Sequence, residues 1–162
     1  MRHQQKGFSL IELLIVVAII LTIAAIAIPN LLRSRMSANE ASAVGSLRTI
    51  NTAEVTYSTT YPSIGFAALA SLGGSAATCA TATGATSTGA CLIDNVLVST
   101  AVKSGYAFTT TAGAGTPAVT YASKALPSVV GQSGQRAFCS DQSGVIRYNA
   151  GGTACTNTDN AL

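Results

Sequence analysis

Hydrophobic and polar positions follow three regimes along the chain. From Leu13 to Ile28 every residue is apolar except Thr22, and the 20 residues from Leu13 to Leu32 carry no charge. Twenty helical residues at ~1.5 Å each span the ~30 Å hydrocarbon layer of a bilayer. After Pro29 the pattern changes. Ala43, Leu47, Ile50, Ala53 and Tyr57 recur at spacings of 4, 3, 3 and 4, which marks one face of an α-helix, with Glu40, Arg48 and Asn51 falling largely off it. One long helix over residues 8–61 is expected, ending where Pro62 disfavours helical geometry in the residue before it. Pro29 should bend or break it locally, because proline lacks the backbone donor and crowds the preceding turn. Gly45 is a second soft point.

The third regime begins after the helix. Residues 62–104 read as a connecting region, Ala/Ser/Thr/Gly-rich up to Cys91, with a short helix around 66–72 and a short helix or first strand at 92–98. Segments 105–111, 118–125, 135–141 and 145–149 are rich in β-branched and aromatic residues and are separated by Gly, Pro, Ser and Asn. Gln142-Ser143-Gly144 is a tight-hairpin signal. Four strands with short links predict an antiparallel meander over 105–162, packed on the second half of the helix, with Tyr106, Phe108, Tyr121, Phe138 and Tyr148 supplying much of its core. The fold class is α+β.

Composition sharpens this picture. The 162 residues suffice for one domain with its own core. Charged residues make up only 9%, against ~25% in soluble domains, which argues against a freely diffusing monomer. Nine Lys+Arg face six Asp+Glu, and Arg2 and Lys6 hold most of the excess. The rest of the chain has no dense basic patch, which excludes a strong nucleic-acid footprint. The apolar stretch itself has three readings: a membrane segment, a buried core helix, or a secretory signal with Arg2 and Lys6 as its basic region and Ala25-Ile26-Ala27 as its cleavage site. A core helix so uniformly apolar is unexpected in so small a domain. Flanking charge does not orient the segment, because Arg33 and Arg35 balance Arg2 and Lys6.

Glu12, set among Phe8, Leu10, Ile11 and Leu13, weighs against an ordinary signal peptide. An acidic residue costs roughly 2.5–3.5 kcal/mol at the centre of a span and less near its end, so it either has a functional partner or lies at the headgroups. The segment KGFSLIELLIVVAIILTIAAIAIPNLLRSR, Lys6 to Arg35, resembles the N-terminus of type IV pilins and the closely related pseudopilins. The resemblance rests on a short basic leader, Gly7, the aromatic Phe8, Glu12 at the fifth position after Gly7, the apolar stretch and Pro29. It covers about 30 residues strongly.

This resemblance implies a leader, residues 1–7, on the cytoplasmic side, removed between Gly7 and Phe8 by a prepilin peptidase/N-methyltransferase that then methylates the Phe8 amine. It implies that residues 8–32 hold the precursor in the inner membrane and later form the polymerisation surface. It implies an inner-membrane assembly platform as a further partner and an extracellular, homopolymeric filament as the product. Glu12 would meet the Phe8 amine of a neighbouring copy. The physics agrees: opposite charges attract strongly in a low-dielectric surround, where an unpaired carboxylate is penalised. Such a pair sets register more than it adds net stability.

Leader removal takes away His3, the only histidine. Histidine-dependent nucleophilic sites and His-ligated metal sites are then excluded. Glu40, Glu54, Asp94, Asp141 and Asp159 are scattered and form no acid–base pair in sequence. The Gly-rich stretch 73–91 lacks the lysine and strand–helix context of a phosphate loop. No enzyme activity, cofactor or metal is expected. Four cysteines lie beyond the apolar stretch and, in an oxidising compartment, favour disulfides over a zinc site, since no paired CxxC units occur. Three pairings are open. Local loop closure favours Cys79–Cys91 and Cys139–Cys155, the second being similar to the C-terminal disulfide loop of many pilins. Among functions, a type IV pilus subunit leads. A secretion pseudopilin is the alternative, followed by a secreted binding module and a membrane-anchored enzyme. Glu12 favours a body subunit, and the lack of an Asp-rich calcium loop disfavours the major pseudopilin.

Overall fold

In the computed structural model residues 8–80 and 84–162 are described, so the leader and Gly7 lie outside the described residues. The chain divides into two compact units, Met1–Arg35 and Met36–Leu162. Helix α1 (Leu10–Thr60) belongs to both. It continues through Pro29 and Gly45. Pro29 does not end it, because one backbone bond, to the Ala25 carbonyl, is all that proline must remove, and helix extends for many turns on either side.

The second unit is built on the apolar stripe of α1. Ala43, Leu47, Ile50, Ala53 and Tyr57 are all buried. Glu40, expected largely off this face, is buried on it, and so are Ser46 and Glu54. Positions 40, 43, 47, 50, 54 and 57 continue the same helical period. Arg48 is exposed and Asn51 half-buried.

The connection after α1 is more structured than its composition suggests. It holds α2 (Leu69–Leu72), α3 (Ala76–Cys79) and α4 (Asn95–Ser99). Leu69, Leu72, Ile93 and Leu97 join the core. The later part of the 92–98 segment is thus helical, as α4, and none of it is a strand. Asp94 caps α4 by accepting a hydrogen bond from the Val96 N–H (3.1 Å), a signal that the apolar pattern masked.

The sheet has six strands rather than four: β1 (Val102–Lys103), β2 (Tyr106–Ala112), β3 (Tyr121–Pro127), β4 (Ala137–Asp141), β5 (Arg147–Asn149) and β6 (Asn160–Ala161). All neighbours are antiparallel and follow chain order. β1 joins β2 through Ser104 and Gly105, both at positive φ (50° and 72°), the backbone that a two-residue hairpin requires. β3 starts at Tyr121, because Ala118 instead bridges Gly65. There a Cβ on Gly65 would lie 2.1 Å from the Ala118 carbonyl oxygen, so only glycine fits.

One face of the sheet packs on α1. Tyr106, Phe108, Ala125 and Phe138 contribute apolar surface, and Tyr148 is half-buried beside them. Thr110, Ser123 and Ser140 lie in a buried hydroxyl row on the same face. Asn51 of α1 donates to Ser140 Oγ (2.8 Å), and its Oδ1 accepts from the Tyr121 hydroxyl (3.1 Å). Buried polar groups are paired across the interface and therefore fix its register. The other face carries a small cluster of Ala137, Cys139 and Cys155 with Leu126 packed against it.

Candidate functional site

The first unit presents its chemistry outward. Phe8 is 86% exposed, and every residue from Leu10 to Ile15 is exposed. Its most apolar 18-residue window has a mean hydropathy of 3.0 and no residue buried within the chain. Leu10, Leu13, Leu14, Val17, Ala18 and Leu21 line one shallow apolar strip at helical spacing. The polar side chain inside the stretch is satisfied locally: Thr22 Oγ1 donates to the Ile19 carbonyl (2.8 Å). A helix stretch whose large apolar side chains find no partner within the chain is suited to lipid or to copies of itself.

Glu12 starts this helix. Its Oε2 accepts from the Ser9 N–H at 3.0 Å. Ser9-Leu10-Ile11-Glu12 thus forms the carboxylate half of a capping box, in which the third helical residue satisfies the N–H of the cap. The S-x-x-E spacing was visible in sequence, but the charge-pairing reading of Glu12 overshadowed it. The carboxylate therefore has one local partner, and its other oxygen has none among the described residues.

In the second unit the ionisable groups are organised around α1. The Glu40 carboxylate accepts from the Gln135 N–H (2.9 Å) and the Arg136 N–H (3.1 Å) and forms an ion pair with the Arg136 guanidinium (2.7 Å). Burial alone raises its pKa, but these hydrogen bonds and the guanidinium charge outweigh it and hold the carboxyl below its ordinary value. Arg136 also lies against the rings of Phe138 and Tyr148, at 5.4 and 5.5 Å. Glu54 is fully buried, with Oε2 accepting from the Ala67 N–H (3.0 Å) and Oε1 without a partner among the described residues. Burial pushes its pKa up to about 7, with the Ala67 hydrogen bond a smaller opposing effect. Tyr121, near Glu54, is pushed up to about 12, chiefly by burial. The sequence reading found neither carboxylate's environment.

The cysteines are joined as Cys79–Cys91 and Cys139–Cys155, each with Cα atoms 5.6 Å apart. Each bond closes a loop between residues already brought together by local structure. Among the described residues no group of three or more potential metal ligands is found.

Comparison with known proteins places the N-terminal chemistry. Residues 2–28 match the prokaryotic N-terminal methylation motif. A 35-residue segment is 66% identical to the type IV wide pilus major component PilA4 of Thermus thermophilus. That segment is 22% of this chain and 27% of the relative, so the chain spans about a quarter of the curated relative it matches. No solved structure matches. The exposed apolar helix, with Phe8 and the capped Glu12 at its start, is thus the downstream part of a prokaryotic N-terminal methylation motif, the type IV pilin signal.

Proposed function

We propose that the chain is a structural subunit of a type IV pilus. It is made as an inner-membrane precursor with residues 1–7 in the cytoplasm and is cut between Gly7 and Phe8 by a prepilin peptidase. The Phe8 amine is methylated, and an inner-membrane assembly platform feeds the subunit into an extracellular homopolymer. The observation that carries this reading is the outward-facing apolar half of α1 with Glu12 at its start, inside the matched motif. The pilus is preferred to the secretion pseudopilus because the relative sharing the segment is itself named a major component of a type IV wide pilus. The role is architectural rather than catalytic.

Cleavage leaves a cationic amine on Phe8, and Glu12 offers a carboxylate in a low-dielectric surround, where the pair attracts strongly. The capping bond to Ser9 complicates the usual test, because Glu12→Ala removes both a helix cap, worth about 1 kcal/mol, and a charge. Glu12→Gln keeps the capping geometry and removes only the charge. Both variants are expected to be cleaved normally and to enter filaments poorly. Filaments from Glu12→Gln at normal yield would sink the charge-pairing role. Mass analysis of sheared surface fibres tests the whole reading. A mature chain beginning at Phe8 with one added methyl supports it, whereas Ile28 at the N-terminus points to a secreted module and overturns it.

A further inference from the structure

The outer face of the sheet holds a groove of about 470 Å³ beside the Cys139–Cys155 disulfide, within the size range of small-molecule sites. Register places two cations on its floor. Lys124 pairs with Cys139, which pairs with Arg147, so the two basic side chains flank the disulfide in one cross-strand row. Their backbones are about 10 Å apart, two strand spacings. Asp141, opposite Ala122, lies on the same face one row away.

Neither cation is neutralised. Lys124 is exposed and has no hydrogen bond or ion pair among the described residues. The Arg147 guanidinium donates from one terminal nitrogen to the Asp159 carbonyl (3.0 Å). Its Nε is buried and finds no acceptor among the described residues. The half-buried guanidinium lines the groove, and an arginine fork is matched best by a carboxylate or phosphate. The remaining polar lining suits hydroxyl groups. Asp141 already accepts from the Ser143 N–H (2.9 Å) and hydroxyl through Oδ1, Thr111 and Thr120 are exposed residues of the lining, and the Thr156 hydroxyl is held by Thr158 and Asp159.

We propose that this groove binds a carboxylate-bearing sugar, with the carboxylate between Lys124 and Arg147 and the ring hydroxyls toward Asp141 and the threonines. A bare anion would use the cations and leave Asp141 repelling it. A neutral sugar would leave both cations uncompensated. A sugar acid matches both halves of the lining.

The test uses the full chain in detergent micelles and galacturonate as the probe, with binding followed by backbone amide shifts. Saturable binding with a Kd on the order of 1 mM is expected, with shifts concentrated at Thr111, Lys124, Asp141 and Arg147. Galactose should bind at least about tenfold more weakly, and Lys124→Gln and Arg147→Gln should each weaken galacturonate by about tenfold. Lys124 is exposed and has no hydrogen bond or ion pair among the described residues, so its variant keeps the test meaningful if Arg147→Gln misfolds. The proposal is overturned by absence of saturation, by equal affinity for galactose or for inorganic phosphate, or by unchanged binding in Lys124→Gln.

Discussion

The two halves of α1 share one continuous helical backbone, yet they treat their apolar residues oppositely. From Leu10 to Ile28 the large side chains point away from the chain, and the acid at the start, Glu12, is exposed. From Glu40 to Tyr57 the stripe is buried, and it takes two carboxylates in with it. The first half therefore contributes nothing to internal packing, and the second half is where packing is decided. A polar group on an unpartnered face remains available to another molecule. A polar group on a packed face must be satisfied within the fold or become a liability.

Single substitutions can break or sharpen this contrast, read as denaturant unfolding of the second unit in the full, micelle-bound chain. Ile50→Ala should cost about 4 kcal/mol, because the side chain is fully buried. Ile15→Ala should stay within about 0.5 kcal/mol of wild type, because Ile15 is 54% exposed. Equal losses at the two sites would erase the distinction. Glu40→Ala should cost about 3 kcal/mol, since it leaves Arg136 and two backbone N–H groups without their acceptor.

Glu54 gives a pH-dependent test. Below about pH 4.5 the carboxyl is protonated in both folded and unfolded chains. Above that value the unfolded chain releases its proton, while the folded chain keeps it until about pH 7. Stability is therefore fully present at low pH, falls as pH rises between these values, and stays reduced above them. The groups facing the carboxyl are the Ala67 N–H, Tyr57 and Tyr121, none of which supplies a positive charge. Glu54→Gln should remove the dependence and be more stable at pH 8 by about 2 kcal/mol, after its own unpartnered amide is counted. A wild-type stability that rises across the same interval would refute this assignment. Asn51→Ala should cost about 1 kcal/mol, from losing the Tyr121 and Ser140 bonds.

The same contrast explains what could be read from sequence. The apolar stretch, the stripe through Leu47 and Ile50, and the antiparallel meander rest on periodicity, which side-chain burial enforces directly. Glu40 was read as lying largely off the stripe and Glu54 only as one of several scattered acids, because their partners, Arg136 and the Ala67 N–H, come from distant chain. The strands Val102–Lys103 and Asn160–Ala161 are two residues each, too short for any alternation to register. α3 lies in an Ala/Thr run whose only helix signal is the Ser75 cap. The Lys124–Arg147 row needed strand register, which residue spacing alone does not supply.

The meander order has a consequence for how this protein tolerates change. Since each strand pairs only with its chain neighbours, no hairpin tip is threaded between other strands. The β2–β3 tip around Ala114 is exposed, and lengthening it leaves every ladder register intact because loop-closure entropy grows only slowly with length. Sequence drift and grafted epitopes should therefore accumulate there, while the strands on either side stay fixed.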